Sequence, residues 1–179
     1  YLPYLSFNYE DMKTVLSPDN YLFQTCSEIY KGLGMELLGF FIEGFNGIGS
    51  AIEITDPAVP GANKHTMVRV ANMNTYVTSS EALGFQTANI PYSDTYTAIQ
   101  TNLADGWTGG PPNLNYLYFR DVINYFYDYR QCAEVNNYQV NAAAFNSLLP
   151  QDQEAIRELC AAACEESFAR AEADGETYK

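Results

Sequence analysis

Positive charge is scarce in this sequence: nine Lys and Arg stand against 22 Asp and Glu in 179 residues, a formal net charge of −13. Nucleic-acid binding depends on cations that neutralise phosphates, so the balance argues against that class. An anionic membrane surface is disfavoured for the same reason. Against this background an arginine inside a pocket stands out. Histidine is scarcer still. His65 is the single one, it sits in a Pro/Gly loop, and no HExxH pattern surrounds it, so it reads as a solvated loop residue. No GxSxG elbow occurs, and Cys/His pairing would have to use that one histidine. GxxxxGK[ST] is absent and no lysine lies near DGWTGG, which leaves a Walker-type cradle without its charge partner. GFNGIG, Gly44 to Gly49, has the glycines of a dinucleotide fingerprint but the wrong spacing, and a strand-like stretch follows it.

Long apolar runs are also missing. The longest, around Met35 to Phe41, has strand length, well short of the roughly 20 residues that span a bilayer. The start at YLPYLSFNYED, without a basic leader, suggests a processed chain or a fragment. Cysteine is sparse: Cys26, Cys132, Cys160 and Cys164 permit a disulfide without demanding one. Cys160 and Cys164 lie one helical turn apart in ELCAAACEE, with no histidine nearby, and read as helix residues facing a core rather than as a metal or redox pair. What the chain has in quantity is apolar and aromatic surface, 47% and 15% of residues with 15 Tyr and 10 Phe. That is the composition of a globular fold with a real core.

The local patterns alternate between helix and strand. EDMKTVLSPDNYLFQTCSEIYKGLG reads as a helix, a Ser-Pro break, and a second helix stopped at Gly32 or Gly34. MELLGFFIEG is a short buried strand. SAIEI alternates as another, followed by a Pro/Gly-rich loop. TMVRVAN is a strand, NTYVTSSEALG a short helix ended by Gly84, and FQTANIP a strand. Ser93 is the expected N-cap of DTYTAIQTNLA, with Tyr96, Ile99 and Leu103 on one face. LNYLYFRDVINYF reads as helix, YDYRQCAEVNNYQVNAAAF as extended, and SLLPQDQEAIRELCAAACEESFARAEADGE as a long helix with Pro150 in its first turn. Alternation of this kind predicts an α/β fold with largely parallel strands. Within MVRVAN, Arg69 is out of place, because an unpaired guanidinium is costly to bury. It either pairs with one of the many carboxylates at a strand end or forks onto a ligand carboxylate.

The ordered set VRVAN, EALG, NIPYSDTYTAIQTNLADG and FRDVINYF, together with LPQDQEAIRE and the opening YLPYLSFNYEDMKTVL, resembles the solute-binding proteins of tripartite ATP-independent periplasmic (TRAP) transporters, the dicarboxylate-binding DctP family. The resemblance covers nearly the whole chain. It implies a type II periplasmic-binding-protein-like fold, two-lobed with a ligand cleft, of which the chain is the central part, truncated at both ends. Residues 1–42 would belong to lobe I, 43–132 to lobe II with the crossing strands, and 133–179 to the return into lobe I. The function implied is extracytoplasmic capture of an organic acid and its delivery to membrane permease subunits, with no chemistry and no cofactor. The location implied is periplasmic, with or without a lipoprotein anchor. A sensory ligand-binding domain of the same fold is the alternative, and a small α/β enzyme a third reading that lacks a base or metal set.

Carried onto this sequence, the resemblance makes Arg69 the carboxylate anchor and Tyr92 an aromatic lining the cleft. It also marks the loop after Asp105-Gly106 as a ligand-contacting loop. There the sequence departs. Gly109 falls where relatives often place a ligand-bonding asparagine, and Gly49 where a second arginine often stands. Both losses point away from a small dicarboxylate. Trp107 offers a ring and the glycines offer backbone N–H groups, so with Tyr92 and Tyr129 they would line a larger or more aromatic cleft, unless Trp107 packs inside its lobe. Asn72, Thr108, Asn113 and Gln131 are further pocket candidates by their closeness to these positions.

Overall fold

The computed structural model describes residues 3–6 and 8–178; of the opening stretch, Tyr1, Leu2 and Phe7 lie outside them. The chain folds as two compact units, one built on Phe45–Glu134 with short pieces of both chain ends, the other on Ser6–Gly44 and Val135–Ala173. In chain order the second of these begins with α1 (Tyr9–Leu16), whose first turn is capped by Asn8 Oδ1 accepting from the Asp11 amide at 2.8 Å. The Ser-Pro break ends it. Asn20 then caps α2 (Tyr21–Gly32), and Gly34 reverses the chain at φ +72° into β1 (Met35–Phe45).

The chain passes into the other unit after Gly44. Its elements are β2 (Ile48–Ser50), β3 (Met67–Val70), α3 (Asn74–Ala82), β4 (Gln86–Asn89), a 3-10 turn (Tyr92–Asp94), α4 (Thr95–Gln100), β5 (Gly106–Thr108), α5 (Pro112–Phe119) and β6 (Tyr125–Tyr127). The five strands form one sheet in the order β4-β3-β5-β2-β6. Only half of the expected parallel pairing is found: β3 runs parallel to β4 and β5, whereas β2 is antiparallel to β5 and β6. Register partners share a face of a sheet, which gives the two faces different cores. Ile48, Val68 and Val70 pack with Ile54 and Phe85 on one side; Trp107 packs with Ile99, Phe119 and Ile123 on the other. Arg69, flanked by Val68 and Val70, falls on the Trp107 face.

Several local expectations give way to tertiary bonding. SAIEI is a strand only at Ser50, because the Ser50 hydroxyl donates to the Ile52 carbonyl at 2.7 Å and the chain bends there. Ile54 still enters the core, its amide bonding the Tyr127 hydroxyl at 2.8 Å. Ser93 lies inside the 3-10 turn, so Asp94 precedes α4 and makes no side-chain capping bond to it. That helix ends at Gln100, which leaves Leu103 66% exposed and off the Ile99 face. α5 stops at Phe119 rather than continuing through INYF, since Tyr125–Tyr127 join the sheet.

The chain returns along β7 (Ala133–Asn141), which pairs with β1, and leaves the first unit after Glu134. Asn141 caps the short α6 (Ala142–Asn146), and α7 (Pro150–Thr177) starts at the proline as expected. Phe41 stacks on Tyr138 between β1 and β7 with centroids 4.8 Å apart. α7 sits close on β1: Arg157 pairs with Glu36 at 2.6 Å, and the missing side chain of Gly39 makes room for Cys164 Sγ.

Candidate functional site

The site grows from the parallel strands β3, β4 and β5, since ligands of open α/β sheets gather outside carboxyl ends of this kind. Arg69 sits on the central β3, opposite Ala88 of β4 and Trp107 of β5. It is 6% exposed. Its Nε donates to the Ile90 carbonyl at 2.7 Å, just beyond β4, and its guanidinium lies 5.7 Å from the centroid of the Tyr92 ring. Among the described residues it forms no ion pair, in contrast to Lys13, Arg130 and Arg157. Desolvation accordingly pulls the Arg69 pKa below its ordinary value, with Tyr76 and Tyr92 opposing the shift. An arginine held in place and lacking a carboxylate is a ready anion anchor.

Tyr92 opens the 3-10 turn after Pro91 and is 54% exposed. Behind it the rings of Trp107 and Phe119 form a cluster, with centroids 5.9 and 6.2 Å from Tyr92 and 4.6 Å from each other. Trp107 is only 4% exposed, and its Nε1 donates to Asn115 Oδ1 at 2.8 Å. Asn115 Nδ2 in turn donates to the carbonyls of Gly109, Gly110 and Pro111 at 3.1–3.2 Å. Gly110 has φ +65°, and a Cβ on Gly109 would stand 2.6 Å from the indole. Glycine is therefore required for the loop to close round the ring.

The remaining candidates lie apart from this group. Thr108, the next residue along β5, points to the opposite face, where its hydroxyl meets Ser80 at 3.2 Å. Tyr129 belongs to the Val68–Phe85 core, its hydroxyl bonding the Pro57 carbonyl at 2.7 Å. Asn72 accepts from Asn89 at 2.7 Å on the surface. Asn113 reaches Asp174 at 3.4 Å and keeps a buried, unpartnered Oδ1, while fully buried Gln131 has no partner at either end of its amide among the described residues. The structure thus brings Arg69, Tyr92, Trp107 and Gly109 together. Sequence reasoning missed Asn115 and Phe119; their i, i+4 spacing in NYLYF was the available signal that one helix face joins the cluster. His65 is exposed at φ +50°, and no group of three His, Cys, Asp or Glu among the described residues is placed to hold a metal.

The sequence matches the bacterial extracellular solute-binding protein family 7 (DctP) along residues 1–179. The chain belongs to this family. Solved TRAP periplasmic solute-binding proteins share its fold. One from Chromohalobacter salexigens, with bound D-glucuronate, is 21% identical at a TM-score of 0.81, covering 99% of this chain and 57% of its own. One from Desulfovibrio desulfuricans, with bound sn-glycerol-3-phosphate, is 20% identical at 0.81, covering 98% and 55%. The ectoine-binding protein of the TeaABC TRAP transporter of Halomonas elongata is 19% identical at 0.79, covering 98% and 57%. The DctP-family chain therefore has the two-lobed α/β periplasmic-binding-protein fold and spans a little over half the length of these relatives. Its family and structural neighbours are binding proteins rather than enzymes. No curated protein matches the sequence. No helix among the described residues is long and apolar enough to cross a membrane.

Proposed function

We propose that this chain is the solute-capturing part of a TRAP transporter receptor. In this role it takes up an organic acid outside the cytoplasm and hands it to membrane permease subunits. The observation that carries the proposal is Arg69, nearly buried, oriented by the Ile90 carbonyl and Tyr92, and free of any carboxylate partner among the described residues. In this role its two terminal nitrogens receive the ligand carboxylate as a fork. Tyr92 supplies a half-exposed ring face beside it, and the Trp107–Phe119 cluster keeps that ring in place. The acids and the phosphate ester bound by neighbouring proteins support an anionic ligand. The residues in hand suit binding: no nucleophile stands beside a base in the group.

Calorimetry of carboxylate binding to the intact protein and its Arg69→Ala variant tests this. Loss of a buried anchor of this type costs about 2–5 kcal/mol, so binding should fall below detection while circular dichroism stays native. Equal affinity in the two proteins would remove Arg69 from the site and the proposal with it.

A further inference from the structure

We infer that Asn115 is a positioning residue for ligand binding: buried beyond a ligand's reach, it fixes the Trp107 indole, and through the indole the Tyr92 ring beside Arg69. The inference rests on the receptor role argued above and adds to it a residue that sets affinity without contact. Trp107, Phe119 and Asn115 are 4%, 3% and 1% exposed, whereas Tyr92 is 54% exposed. Of the three rings in this cluster only Tyr92 is open to a ligand. Trp107 and Phe119 can act on one only through it.

One side chain holds both the indole and the wall against it. Asn115 Oδ1 accepts the indole N–H at 2.8 Å, which sets the direction of the ring. Its Nδ2 donates to the carbonyls of Gly109, Gly110 and Pro111 at 3.1–3.2 Å and so holds the loop backbone against the ring's far end. The fit there is close: a Cβ on Gly109 would stand 2.6 Å from Trp107 Cζ3, and one on Gly110 3.1 Å from Cη2. On the N–H side, a Cβ on Gly49 would meet Asn115 Oδ1 at 2.3 Å and Trp107 Nε1 at 3.1 Å. Backbone therefore borders the indole at both ends, and the amide bonds supply its directional hold. Tyr92 leans on this assembly, tilted 57° to the indole and edge-on to Phe119 at 85°. The Arg69 guanidinium lies 5.7 Å from its centroid. Tyr92 stands in a three-residue 3-10 turn without a side-chain cap bond, so its aim depends on the rings behind it. Losing the Asn115 amide would leave a buried N–H unpaired and loosen the loop, and the indole would turn away from Tyr92.

The test is a double-mutant cycle on the intact protein, Asn115→Ala against Tyr92→Ala, read by calorimetry with gluconate and hexanoate as probes. Circular dichroism and Tm follow folding. Trp107→Phe, which keeps a ring in the core and loses the N–H, replaces Asn115→Ala should that variant fail to fold. Each single substitution is expected to weaken binding of the probe that the parent takes roughly tenfold. The double variant is expected to bind no more weakly than Tyr92→Ala alone. Parent affinity in the Asn115 variant, with only its Tm lowered, makes the asparagine merely structural and overturns the inference. Additive losses in the double variant overturn it too, because Asn115 would then act by a route other than Tyr92, and so does parent affinity in Tyr92→Ala. In each of these cases abolished binding in Arg69→Met spares the receptor role. Binding of neither probe by the parent, or binding indifferent to Arg69→Met, overturns the receptor role itself.

Discussion

At Arg69 two costs oppose each other. Burying the Arg69 guanidinium on the Trp107 face of the sheet strips its water, and the Ile90 carbonyl, the Tyr92 face and Tyr76 offset part of that cost. The ligand carboxylate would complete the balance. Replacing Arg69 by Met keeps the stem and removes the charge, so the ligand-free protein should become more stable, by about 1 kcal/mol in urea unfolding. The same variant should show no rise in Tm on adding the acids that raise it in the parent. A less stable variant would mean that Arg69 serves the fold. The arginine was legible in the sequence because one charge in an apolar strand has few bland explanations. The state of Trp107 was not, since a ring beside glycines suits a pocket wall and a packed core equally well. Asn115, eight residues away, decides it by taking the N–H.

At the scale of elements, the loop between β5 and α5 holds its shape through one side chain. Asn115 uses three carbonyls and one indole N–H, a saturation that local sequence cannot announce because the partners depend on where the loop closes. Asn115→Ala leaves these buried groups unpaired and is expected to cost about 3 kcal/mol. Asn115→Asp keeps the acceptor but aims a carboxylate at three carbonyls, so at neutral pH it should be no milder. A milder Asp variant in chemical denaturation would contradict the network. The strand at TMVRVAN, the helix to Gly84 and the start of α7 at Pro150 were readable because their signals are local. SAIEI and INYF were misread for the converse reason. Asn124 bonds the Ser50 and Ala51 carbonyls at 2.9 and 2.8 Å, and sheet pairing then overrides the helical run.

Tyr129 ties the loop at Pro57 to the other sheet face. Burial lifts its pKa to about 12, with Tyr127 and Tyr4 adding to the shift. The unfolded chain loses this proton near pH 10, the folded chain only near 12, so between these values the folded state holds the extra proton. The stabilisation is complete below about pH 10 and is lost as pH rises toward 12. Tyr129→Phe should cost about 1 kcal/mol at neutral pH through the bond to the Pro57 carbonyl. It should also flatten the alkaline decline in a urea series from pH 8 to 12, and an unchanged slope would exclude Tyr129 as its source.

For the whole molecule, the fold could be read because the family pattern lies in the order and spacing of several weak motifs spread along the chain, and the family match runs over residues 1–179. The charge of −13 sets a different problem, since the proposed anionic ligand would have to approach a strongly acidic chain. In about 0.01 M salt, with a Debye length of about 30 Å, the whole surface repels it; at 0.15 M the length is about 8 Å and only neighbouring charges act. Arg69 would be such a neighbour, and among the described residues no carboxylate pairs with it to cancel its field. Raising salt between these values should thus remove repulsion faster than attraction, and the association rate should increase about two- to fivefold, opposite to a cationic funnel. Trp107, the only tryptophan in the sequence and 5.9 Å from Tyr92, supplies the fluorescence signal for stopped flow. A rate that falls with salt would place a larger positive field round the site than Arg69 alone provides.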